Sequence, residues 1–277
     1  MVKEPVASKT ECEMNKKTIA WIAVSLVLSI VIIFLGLVRF YLPDYPEGVL
    51  YDKVTYAIDP QTILASLDRG ERDVFLPAPP EPEGSWSIIW PSGSFIWNEQ
   101  SFIKVANALH QLNWQESLEN WKLIRASYQI NQCQEVYGKI DSASLSFFRN
   151  EEGQNVVHGF WINPMYGNVT AGNQYSQRMG WTSWETINPD KMKVGSVDAA
   201  LQVAEENGGK EIRSSLKNIC KITVLLAPDR YKYDFLSHPL SQYGWGWSVI
   251  YWDNQSNSNP LLSIVIDPYT GAFKIQE

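Results

Sequence analysis

The sequence predicts an α+β protein, with an N-terminal transmembrane helix followed by an outer domain of two helix-plus-antiparallel-sheet modules. Three observations carry this expectation. An uncharged apolar run of 21 residues, Thr18–Val38, precedes the parts with globular patterning. Two stretches of helical periodicity, starting near Asn98 and Ser196, are each followed by several strand-like runs. Both series close on a similar turn, "WINPMYGNV" from Trp161 and "VIDPYTGAF" from Val265, 104 positions apart.

The anchor comes first. Thr18–Val38 matches the roughly 20 residues a helix needs to cross a bilayer. A cleaved signal peptide is the alternative, but Arg39, Phe40, Tyr41 and Pro43 stand where a small-residue cleavage site belongs. Lys3, Lys9, Lys16 and Lys17 before the run, against Arg39 and Lys53 after it, place the tail 1–17 in the cytoplasm. The expected location is the cell membrane, single-pass, with the C-terminal domain outside. Forty-five per cent hydrophobic residues and 12 Trp exclude a disordered chain. From Phe40 onward 18 basic residues face 27 acidic ones, which argues against nucleic acid as a partner.

Residues 39–94 form the juxtamembrane segment, with a short helix from Asp59, a stiff linker at Leu76–Gly84 ("LPAPPEPEG") and the start of a hairpin in which "WSIIW" and "FIW" flank "PSGS". The first module spans 95–173. Asn98 caps a helix carrying Phe102, Ala106 and Leu109 on one face, and Trp114, Leu118 and Trp121 continue that spacing to Ile124. Strands follow at Ser127–Ile130, Ile140–Phe148 and Val156–Ile162. In the closing turn Pro164 presets φ, Gly167 takes the positive φ that reverses the chain, and Asn163 bonds the turn backbone. A connector, 174–195, leads to the second module, 196–277. There Ser196 is the N-cap, Val197, Ala200, Leu201 and Ala204 form the apolar stripe, and Asn207–Gly209 ("NGG") ends the helix. "KITVLLAP", "WGWSVIYW" and "LLSIVI" read as strands, and Asp267, Pro268 and Gly271 repeat the turn offsets. The pattern fits a duplication, or two generic hairpins in one fold.

The second module resembles the PepSY domain. The resemblance rests on Ala199, Ala200, Ala204 and Gly208 in the helix, Trp247 and Val249 in a strand, and Ile266, Asp267, Thr270 and Gly271 in the closing hairpin. The first module fits more loosely, with Asn163 for Asp and Tyr166 for Thr, and 1–94 lie outside the match. It implies a small α+β module of bacterial envelope proteins and of metallopeptidase propeptides, where it inhibits or chaperones the protease. It implies no catalytic residues and no cofactor. Since no peptidase pattern accompanies it, the peptidase would be a separate envelope or secreted partner.

The residues offer little catalytic chemistry. His110, His158 and His238 show no H-E-x-x-H spacing and read as structural. "SFIK" at Ser101 and "SSLK" at Ser214 match S-x-x-K by chance, and Asp253–Pro260 lacks the Gly and Glu of a calcium loop. Glu151 with Glu152, and Glu205 with Glu206, read as solvated surface. Cys133 and Cys220 are the one cysteine pair outside the membrane, either bonded or buried as free thiols. Trp245, Trp247 and Tyr251 share one strand face, which serves core packing or, alternatively, stacks on a sugar. The expected function is therefore binding without catalysis: regulation of an extracytoplasmic peptidase or of envelope assembly. A glycan-binding module and an unrecognised hydrolase are the alternatives.

Overall fold

An alternating strand exposes every second side chain on one face and must bury the others. Here Lys122–Ile130 keeps Ile124, Ala126, Tyr128 and Ile130 buried, and Trp245–Trp252 keeps Trp245, Trp247, Val249 and Tyr251 buried. Both bury that face in the same core. The structure, a computed structural model, describes residues 21, 24–31, 50–78, 95–131, 136–151, 154–174, 191–216, 221–228, 245–252 and 260–276. Its elements run β1 (Leu50–Ala57), α1 (Ile63–Asp68), β2 (Leu76–Pro77), α2 (Glu99–Trp114), β3 (Lys122–Ile130), β4 (Ser142–Glu151), β5 (Gln154–Asn163), β6 (Asn168–Gln174), α3 (Val197–Ala204), α4 (Lys210–Ser215), β7 (Lys221–Pro228), β8 (Trp245–Trp252), β9 (Pro260–Ile266) and β10 (Phe273–Gln276).

All ten strands join one antiparallel sheet in the order β10-β9-β8-β7-β3-β4-β5-β6-β1-β2. The expected fold of two separate modules behind a membrane helix is corrected by this sheet. Alternation identifies a strand and its buried face, but not its partner. The first strand after each helix, β3 and β7, carries an apolar face, and the two pair with each other, Ala126 against Leu226 and Ile130 against Ile222. Two four-stranded meanders thus run outward from a central pair, and β1 and β2 extend only the β6 side.

The transmembrane helix is corrected as well. No helix among the described residues is long and apolar enough to cross a membrane. Of Thr18–Val38, Trp21 and 24–31 are described; they are helical and exposed, and the rest of the run lies outside the described residues. They belong to the unit Met1–Glu47, and the sheet to Gly48–Glu277.

The helices form where their caps allow. The Asn98 side chain accepts from the Ser101 amide at 3.0 Å while Ser101 Oγ accepts from the Asn98 amide at 3.3 Å, closing a capping box. Ser196 accepts from the Ala199 amide at 3.1 Å. Glu99 then joins the two helices, its Oε2 accepting from the Val197 amide at 3.0 Å. Phe102, Val105, Ala106 and Leu109 of α2, and Val197, Ala200, Leu201 and Ala204 of α3, are buried against one sheet face. Each fully buried large apolar side chain contributes about 1.5–3 kcal/mol.

Several local expectations change. Helix α2 stops at Trp114 because Gln115 adopts a left-handed conformation, φ 60°, so Leu118 falls in a short 3-10 turn and Trp121 stands extended just before β3 rather than extending a helix to Ile124. Asn207 and Gly208, φ +109°, kink the second helix instead of ending it, and α4 follows. Phe95–Trp97 is not a strand, while the other half of that expected hairpin lies outside the described residues. Strand β1 was not expected at all.

Candidate functional site

The two closing turns are built alike. Ile162 pairs with Val169 and Ile266 with Phe273, so both loops have the same length and register, and Gly167 and Gly271 take φ 59° and 75°. Pro164 opens a single 3-10 turn, and the Gly167 amide donates to the Pro164 carbonyl at 3.0 Å. Asp267 accepts from the Tyr269 amide at 2.8 Å, the role expected of the turn's first side chain. Asn163 does not share it: its Oδ1 is buried with no hydrogen-bond partner. The Pro268 carbonyl accepts from the Val194 amide at 2.9 Å, so the second turn is tied to the segment entering α3.

The aromatic row nominated for sugar stacking is not a surface. Trp245, Trp247 and Tyr251 are 3%, 1% and 1% exposed. Trp247 donates its indole N–H to the Val194 carbonyl at 2.9 Å, and Tyr251 donates its hydroxyl to Glu205 Oε1 at 2.7 Å. They pack beneath the second helical segment, as core. Cys133 and Cys220, the whole candidate pair, lie outside the described residues, as does most of the polar loop Asp253–Pro260.

Glu205 is a correction. It is buried, not solvated, because it stands four residues after Leu201 with helical dihedrals, φ −62° and ψ −38°, and so continues the buried face of that helix ahead of the kink; its Oε2 accepts from Arg213 Nε at 3.0 Å and Nη2 at 2.6 Å. Its hydrogen bond is the main reason the Arg213 guanidinium holds its proton still more tightly than usual. Burial, with the Glu205 hydrogen bond and charge, raises the Tyr251 hydroxyl well above the ordinary tyrosine range. Glu151 is exposed and paired with Arg149.

Two histidines read as scattered are brought together. His110, on the buried face of α2, and His158, on the same sheet face in β5, meet with Nε2 and Nδ1 2.9 Å apart. His110 Nδ1 lies 2.8 Å from the Glu116 carbonyl. That oxygen only accepts, so Nδ1 of His110 carries the proton, Nε2 is an acceptor, and His158 donates to it from Nδ1. The His158 ring is stacked on Trp114, 3.9 Å away and 12° from parallel, and on Trp121, 4.3 Å away and 26° from parallel. Two rings that close and that parallel must occupy opposite faces, so the imidazole is sandwiched. Arg149 lies 4.6 Å from the Trp121 ring centre and forks onto the Glu116 carboxylate at 2.5 and 3.0 Å. Burial lowers both imidazoles, His158 to about 3, helped by His110 and Arg149 nearby. The sequence signal was weak, since position 110 follows the α2 stripe but nothing pairs it with position 158.

Of the S-x-x-K side chains, the three among the described residues are otherwise engaged, and position 217 lies outside them. Ser101 serves the cap, and Lys104 pairs with Asp68 and donates to the Leu64 carbonyl at 3.2 Å. Ser214 donates to the Lys210 carbonyl at 2.7 Å. Among the described residues no group of three His, Cys, Asp or Glu side chains could hold a metal ion.

The sheet's two ends differ. Beyond β6 lie β1 and β2, whereas no strand pairs beyond β10 among the described residues. Phe273 and Ile275 share the helix-side face of β10 and are 42% and 47% exposed. The Asp267 amide donates to the Ala272 carbonyl at 2.7 Å, which fixes the phase of the ladder. Antiparallel pairs alternate between bonded and unbonded, so Phe273 and Ile275 point their backbone groups away from β9. Together they offer two apolar side chains and a backbone edge that no strand among the described residues pairs. Comparison with protein families, with curated proteins and with solved structures finds no match.

Proposed function

We propose that this chain is a non-catalytic binding protein that takes an extended segment of a protein partner along β10. The open edge carries the reading: outward backbone groups at Phe273 and Ile275 supply a ladder, and their side chains supply period-two apolar contacts. Lys274, on the other face, disfavours self-pairing in the register that sets it against its own copy, and is matched by an acidic residue in a partner. The PepSY resemblance makes an extracytoplasmic peptidase, or a protein of envelope assembly, the partner class.

Ile275→Pro tests this in the full chain. Proline removes an amide that faces away from β9, so the internal ladder is kept while a partner's bond is lost. A partner peptidase whose activity falls with the wild-type protein, and recovers with the variant at unchanged stability, supports the reading. Equal inhibition by both proteins, or none by either, overturns it.

A further inference from the structure

We propose that the His110–His158 pair is an acid-sensitive latch that holds the C-terminal end of α2 on β5 and opens when both imidazoles are protonated. The geometry is specific. With the Glu116 carbonyl fixing the tautomer, the neutral pair makes a continuous chain of hydrogen bonds, from His158 through His110 to the backbone. One added proton fits on His158 Nε2 without disturbing it. A second can only go to His110 Nε2, which turns the acceptor into a donor and sets two N–H groups head to head at a 2.9 Å separation.

The surroundings give the first proton little help. The charged groups facing the pair are Arg149 from β4 and Glu116 from the loop after α2, and both Glu116 and Glu151 are already paired with Arg149. Trp114 and Trp121 cover the faces of His158, so opening exposes both indoles and frees the last turn of α2. Because the folded values lie below the ordinary histidine value of about 6.5, the unfolded chain binds more protons in the interval between. Stability is thus complete above that value and falls as pH drops toward the folded value of His158, about 3.

The test uses the full chain and the double variant His110→Leu/His158→Phe, which keeps a ring between the two indoles but cannot titrate. Urea unfolding is followed from pH 7 to pH 4. The wild-type unfolding constant is expected to rise by up to about tenfold per pH unit for each proton taken up below pH 6.5, and the variant to lose that part of the slope. Imidazole proton resonances in the wild type give a second measure, which holds even if the variant fails to fold: two histidines should titrate well below the ordinary value. Equal slopes in both proteins, or all three histidines titrating normally, overturn the latch.

Discussion

The two halves of the sheet share a plan and differ in chemistry. Each sets a helix across a four-stranded meander and ties the helix's far end to the sheet with a polar knot. In the first half the knot is a neutral imidazole pair whose His158 ring is held between two indoles; in the second it is the Glu205–Arg213 ion pair with Tyr251. The first half is continued by β1 and β2, and the second ends on β10 with its backbone groups turned outward. The same backbone arrangement can therefore carry a pH-dependent closure at one end and a charge-locked, open edge at the other. Local chemistry divides the two knots, and the added strands β1 and β2 divide the two edges.

Breaking the ion-pair knot should have the largest effect. Arg213→Ala leaves the carboxylate of Glu205, 6% exposed, without its guanidinium and is expected to destabilise by about 3–5 kcal/mol, read by urea unfolding. His158→Ala should do less. It empties the space between Trp114 and Trp121 and leaves His110 Nε2 without a donor, for about 2–3 kcal/mol at pH 7 by the same measurement.

The turns sharpen the comparison on a smaller scale. Asp267→Ala removes the acceptor of the Tyr269 amide and is expected to destabilise by about 1 kcal/mol, whereas Asn163→Ala deletes a buried oxygen that has no partner and should stay within about 0.5 kcal/mol. Gly167→Ala and Gly271→Ala, both at positive φ, should each destabilise by about 1 kcal/mol in thermal or urea unfolding. Unequal effects of the glycine pair, or equal effects of the Asp267 and Asn163 changes, would break the proposed likeness and difference of the turns.

Local features were legible where one residue type decides the geometry. Asn98 and Ser196 cap their helices, and Gly167 and Gly271 take positive φ, because few alternatives satisfy those positions. Strand partners were not legible: β3 and β7 look like the openings of two sheets and form the centre of one. Parity put Trp245, Trp247 and Tyr251 on a common face, but did not say that this face lies under a helix. Strand β1 escaped because Asp52 and Lys53 interrupt its apolar pattern, and Asp52 takes φ 48° at the irregular part of the ladder. The His110–His158 pair depends on a contact between residues 48 apart, which hydrophobic spacing does not encode, and Glu205 was passed over although it stands four residues after Leu201 on the buried stripe, because a carboxylate there reads as surface.

The most direct measurement of the central claim places a photo-crosslinking side chain at position 275 of β10 and, in a separate protein, at position 76 of β2 on the opposite end of the sheet. Leu76 is also exposed, at 62%, so the two positions test location and not mere accessibility. The account predicts a discrete adduct with an extracytoplasmic protein from position 275, absent from position 76. It also predicts that Lys274→Glu weakens this adduct. Adducts alike from both positions, or none from 275, would contradict it.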